Sequence, residues 1–207
     1  MRTIIYIDGF NFYYRAVKNT PYKWINFKSL FQKLLSSHNQ IVQIKYFTAL
    51  VSGKYDSQKP IKQQTFLRAL KSFIPEIEIY YGHFLTHEVY APLAEPENDK
   101  RTVKIIKTEE KGSDVNIAVH LLNDVWLNNY DCAVIVSNDS DLAESMKLVK
   151  EHHPDKILGL IMPGKGHPSK ELMQHADFVK RVRTGVLKSS QFPNQIPNTN
   201  IVKPKDW

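Results

Sequence analysis

Short apolar runs alternate with amphipathic segments of helical length along most of this chain, and few folds accommodate that alternation. Residues 3–7, 44–51, 77–81, 133–136 and 157–161 are rich in β-branched and aromatic side chains and read as strands. Between them the apolar spacing turns helical. Phe27, Leu30, Phe31, Leu34 and Leu35 follow Asn26, a good N-cap. Phe66, Leu67, Leu70 and Ile74 lie on a helix that Pro60 opens and Pro75 ends. Ser113 is the expected N-cap of a helix whose apolar face is Val115, Ala118, Val119, Leu122, Val125 and Trp126. A helix from Ser140 or Asp141 to about Lys150, a short one over 169–175 and a last strand at 178–179 complete the pattern. Such alternation predicts an α/β fold, three α/β/α layers around a mostly parallel sheet. Residues 88–91 and 102–108 flank a polar, Pro-broken loop at 92–100 and predict an appended β-hairpin. Residues 1–187 are expected to form one domain, and the polar, Pro-containing stretch 188–207 a tail without a core of its own.

The net charge is +7 and the pI about 9.3. A basic chain suits a polyanionic partner. Cys132, the only cysteine, cannot form an intramolecular disulfide or a cysteine-rich zinc site, and reads as a small core residue. The sequence opens directly into a strand and carries no transmembrane-length apolar stretch, so a cytoplasmic location is expected.

Against this basic background, four aspartates stand where strands give way to helices. Asp8 follows the first run, in Ile7-Asp8-Gly9-Phe10-Asn11. Asp114 follows Lys111-Gly112-Ser113. Asp139 and Asp141 follow the fourth run, in Ser137-Asn138-Asp139-Ser140-Asp141-Leu142. Each alone reads equally as a helix cap or a first-turn acid complementing the helix dipole. Strands that are parallel neighbours share one carboxyl rim, which would bring all four together. Such a cluster repels itself unless a cation offsets it, and oxygen donors suit Mg²⁺ or Mn²⁺. Gly9 lets the chain turn after the strand, and Asn11 is placed to aim its amide at the rim. Position 10 is Phe, where a haloacid-dehalogenase-type phosphatase needs a second Asp. The Gly-rich fingerprints of dinucleotide sites and P-loops are absent.

In order and spacing these motifs, with the later Ala176-Asp177-Phe178, resemble the NYN domain, and within it the LabA-like group, over roughly residues 1–183. Asn138 departs from the pattern, where Gly is common. The resemblance implies a Rossmann-like, PIN-like sheet and a metal-dependent ribonuclease. Asp8, Asp114, Asp139 and Asp141 would then hold Mg²⁺ or Mn²⁺, with Asn11 completing the catalytic set. RNA is the implied partner, with substrate contacts from Lys111, Tyr13, Tyr14 and Ser137 and room for a homo-oligomer. Two other readings stay open: a nucleic-acid-binding regulator without robust catalysis, and an oxidoreductase, since members of the family are assigned a hydroxylase role on a pyridine compound. Further Lys and Arg residues gather at 54–71, 100–111 and 180–188, where solvated surface charge is the commoner fate. The histidines show no ligand spacing.

Overall fold

The computed structural model describes every residue except Tyr55, Asn98, Asp99 and Asp206. Six strands form one parallel sheet: β1 (Arg2–Asp8), β2 (Gln40–Thr48), β3 (Ile77–Tyr81), β6 (Cys132–Val136), β7 (Ile157–Met162) and β8 (Phe178–Arg181). Their spatial order is β3-β2-β1-β6-β7-β8. The chain thus builds outward from β1 on one side, then returns to the centre and builds outward on the other. The reversal falls between β1 and β6, the topological switch point at which open α/β sheets place their ligands.

β1 and β6 are central and almost wholly buried. Alternate residues feed opposite cores. Ile5, Ile7, Cys132, Val134 and Val136 face one side, and Ile4, Tyr6, Ala133 and Ile135 the other. The first core lies under α2 (Phe27–Leu34) and α3 (Gln58–Phe73). The second lies under α4 (Ser113–Trp126) and α5 (Ala143–His152). Asn26 caps α2 as expected, its side chain accepting from the Ser29 N–H. Among the described residues no helix is long and apolar enough to cross a membrane.

Helix α4 departs from its expected orientation. It buries Ile117, Leu121, Asp124 and Val125, while Val115, Val119 and Trp126 are exposed. The cause is a buried polar group that apolar spacing cannot reveal. Asp124 accepts from Lys45 Nζ at 2.6 Å and from the Tyr6 hydroxyl at 2.6 Å. Seating this pair in the core rotates the helix, and Trp126 rests instead edge-on against His153, with ring centroids 4.7 Å apart.

The hairpin forms as expected but is longer and stands apart from the main sheet. Among the described residues, strands β4 (His83–Glu97) and β5 (Lys100–Lys111) pair only with each other. Part of the loop expected at 92–100 lies outside the described residues. At the base of this arm, Phe84 packs edge-on against Phe10, with centroids 5.5 Å apart.

The polar stretch after residue 187 needs the plainest correction. It is not a tail lying off the domain. Phe192, Ile196 and Ile201 are buried in the first core, and Trp207 packs against it. Trp24 donates its indole N–H to the Pro193 carbonyl at 2.8 Å, and the Phe192 N–H donates to the Trp24 carbonyl at 2.9 Å.

Candidate active site

Asp8 ends β1 and at the same time caps a short helix, α1 (Gly9–Phe12), which runs on as a wider π-turn through Val17. Cap and pocket carboxylate, which the sequence leaves as alternatives, are one residue here. One Asp8 oxygen accepts from the Asn11 N–H at 2.9 Å and the other from the Ser137 hydroxyl at 2.8 Å. Gly9 makes this turn for a reason other than backbone freedom. A side chain there would collide with the Phe47 carbonyl and the Tyr46 ring of β2, so only glycine lets α1 start this close to the sheet.

Ser137 closes β6 against β1. Its hydroxyl donates to Asp8 and accepts from the Asp139 N–H at 3.1 Å. It is fully buried, so it stands behind Asp8 and orients it, rather than among the substrate contacts where it was expected. Asp139 caps a single 3₁₀ turn by accepting from the Asp141 N–H. The Asn11 amide oxygen accepts from the Asn138 N–H at 3.2 Å and ties the two strand ends together.

A pocket of about 240 Å³ opens between these ends, lined by Asp8, Phe10, Asn11, Tyr14, Arg15, Glu110, Ser113, Asp114 and Asp139. Five of the nine residues expected at the site therefore meet in one cavity. Asp141 lies just outside the lining, yet its charge still acts on Asp114. Tyr13 is partly exposed and packs edge-on against Tyr14. Lys111 is not brought to the pocket. It is half-exposed and faces Glu109 at 3.7 Å.

Glu110 and Arg15 were not expected. Glu110 is the residue before the last of β5 and accepts from both the Ser113 N–H and the Ser113 hydroxyl, at 3.2 and 2.8 Å. It thereby satisfies the first turn of α4, so Ser113 is the first helical residue and not its cap. A glutamate three residues before the helix start is the signal that could have found it.

Asp8 and Asp114 are both held in their neutral forms more than ordinary carboxyls are. For Asp8 the main cause is burial, opposed by its two hydrogen bonds and reinforced by Asp139 and Glu110. Asp114 is pushed up to about 7, by burial first and then by the charges of Asp8, Asp139, Glu110 and Asp141. Among the described residues, no three His, Cys, Asp or Glu side chains stand close enough to form a ready-made metal cage. The donor chemistry nevertheless fits a hard divalent cation. Every acidic group is a carboxylate, and their mutual repulsion is the kind a bound cation offsets.

A pH effect follows for the metal-free protein. An unfolded Asp titrates near about 3.9, so between there and about 7 the folded state keeps a proton that the unfolded state gives up. The stability this group contributes is complete below about pH 4 and is lost as the pH rises through about 7. Asp114→Asn should flatten that decline in urea unfolding with EDTA between about pH 5 and 8. An unchanged decline would remove Asp114 from the acidic field.

Three comparisons bear on this geometry. The NYN domain model matches residues 2–181. The 6-hydroxy-3-succinoylpyridine 3-monooxygenase HspA of Pseudomonas putida is 33% identical over 238 aligned positions, covering 100% of this chain and 75% of that protein. A crystal structure of a protein of unknown function from Vibrio parahaemolyticus superposes with a TM-score of 0.56 at 15% identity, covering 88% of this chain and 93% of the other, and shows the fold alone. With the switch-point pocket and the parallel sheet that carries it, the match over nearly the whole chain makes this protein a member of the NYN domain family.

Proposed function

We propose that the protein is a metal-dependent endoribonuclease. The observation that carries this reading is the gathering of Asp8, Asp114, Asp139 and Glu110 around one pocket at the sheet's switch point. Asp8, Asp114 and Asp139 would hold Mg²⁺ or Mn²⁺, with Asp141 adding charge from the rim. When bound, such an ion supplies an acidified water and offsets charge on a phosphodiester. The chain's own groups supply placement. Ser137 and the Asn11 N–H fix the Asp8 carboxylate in one orientation. Arg15 lines the same pocket and suits a phosphate oxygen. Tyr14 lines it too, backed by Tyr13 and with Lys18 over its ring at 4.7 Å, and suits a base face. Domain limits of 1–187 belong to this proposal, with residues 188–207 as a C-terminal extension packed on the domain.

The test is cleavage of labelled RNA and DNA oligonucleotides with Mg²⁺, Mn²⁺ or EDTA. RNA cleavage that needs the metal is expected, and the persistence of full cleavage in EDTA would overturn the reading. Binding should weaken steeply with salt, since each neutralised phosphate contributes a slope of about −0.7 in log K against log salt for a single strand. Salt-independent affinity would count against backbone recognition.

One observation favours a second reading. A relative that aligns with the whole chain is named a monooxygenase acting on a succinoylpyridine. On that reading the pocket would hold a pyridine-type acid. Against it, the pocket is smaller than the ~300–1,000 Å³ of small-molecule and cofactor sites, and its acidic lining disfavours an anionic substrate. NADH consumption on adding a hydroxypyridine carboxylate would select this alternative.

A further inference from the structure

A second groove, about 480 Å³, runs along the outer edge of β8, the last strand of the sheet. Leu34, Met162, Val179 and Val186 give it an apolar surface. Its charged lining is Lys180, Arg181 and Arg183, and none of the described residues that line it is acidic. Lys180 Nζ donates to the Leu34 carbonyl, and the Arg181 guanidinium donates to the Gly166 carbonyl at 2.7 Å. Both heads are thus held at the rim by neutral partners, with their charge intact and further donors to spare. Arg183 is exposed and makes no ion pair among the described residues. Three cations over an apolar surface fit an anion that also carries a flat apolar group.

The groove and the carboxylate pocket flank one loop, residues 163–168. On the pocket side, Gly164 sits with φ of 78° against the Arg15 backbone carbonyl, a contact that leaves no room for a side chain. Asn138, beside Asp139, donates its amide to the His167 carbonyl at 3.2 Å and accepts from the Ser169 N–H at 2.8 Å. On the groove side, the same loop supplies Pro168 to the lining and the Gly166 carbonyl that holds Arg181.

We propose that this groove binds the RNA strand beyond the site of cleavage, with a phosphate on Lys180, Arg181 and Arg183 and a base on the apolar surface. The proposal rests on the ribonuclease reading and adds a strand path to it. Arginine forks match phosphate oxygens, and every base offers a face to an apolar surface.

The test measures binding, in EDTA, of single-stranded RNAs of about 4 and about 16 nucleotides to the full chain carrying Asp139→Asn, a variant expected to slow cleavage. The long RNA should bind more tightly. Adding Arg183→Glu should remove about tenfold from its affinity and lower its salt slope by about one, with the short RNA unaffected. Arg183→Lys should retain most of the long-RNA affinity. Equal losses on both lengths, or no loss on either, would overturn the groove assignment and leave the ribonuclease reading standing. RNA of neither length binding before Arg183 is changed would overturn both.

Discussion

Asp8→Asn and Asp139→Asn are each expected to lower metal-dependent RNA cleavage by at least about 10²–10³-fold, the cost of removing one preorganised electrostatic partner. Neither should harm the fold. Both aspartates are N-caps, and asparagine caps a helix about as well as aspartate. An amide in place of the Asp8 carboxylate could still accept from the Asn11 N–H and donate to the Ser137 hydroxyl, which are the partners Asp8 has now. Each variant also removes a charge that pushes the Asp114 carboxyl upward, so the metal-free protein should be as stable as the parent or more so at pH 8. Cleavage rates beside urea midpoints in EDTA separate the two effects. Full activity in both variants would sink the carboxylate assignment. Lost activity with a lowered midpoint would mean that the substitutions disturb the fold, and would remove the support for a specific role of the carboxylates in cleavage.

What could be read in the sequence follows from how local each signal is. Asp8 and Asp139 were legible because one buried strand ends at Asp8 and another just before Asp139, and strand ends in a parallel sheet share a rim. Glu110 was not, because it enters from the base of a hairpin that belongs to no part of the main sheet, and its side chain serves α4 and the pocket together. Lys111 looked well placed at three residues from Asp114, but at the base of the hairpin, as the last residue of β5, its side chain turns to Glu109. The apolar stripe of α4 misled for a different reason. The helix buries Asp124 with Lys45, both side chains about 95% or more buried, and leaves Val115 and Val119 exposed, and an ion pair 79 residues apart leaves no local trace. A carboxylate whose cation is removed would be stranded in the core, so the helix turns to keep the pair together.

The C-terminal segment carries the second large effect. Phe192→Ala should cost about 3–5 kcal/mol, the range for a buried aromatic cut to alanine, which for a chain of this size lowers Tm by roughly 6–20 °C. Phe192 is 4% exposed and sits edge-on to Trp24, with centroids 5.6 Å apart, and to Phe73 at 5.2 Å. Trp24 in turn meets Phe66 and Trp207, so one aromatic cluster joins the loop before α2, helix α3 and the chain's last residue. A chain ending at Lys188 would uncover Trp24 and leave its indole N–H without the Pro193 carbonyl. That truncated protein should unfold earlier still and expose an apolar patch prone to association. The polar composition concealed this because Phe192, Ile196 and Ile201 follow neither a helical nor an alternating period. They reach the core from turns and two isolated bridges, Ile25 with Gln191 and Gln195 with Val202. A free polar tail requires the opposite outcome, with Tm unmoved by Phe192→Ala and by truncation alike. Thermal unfolding of the two variants beside the full chain decides between them, and it does so without reference to activity, since none of these residues lines the carboxylate pocket.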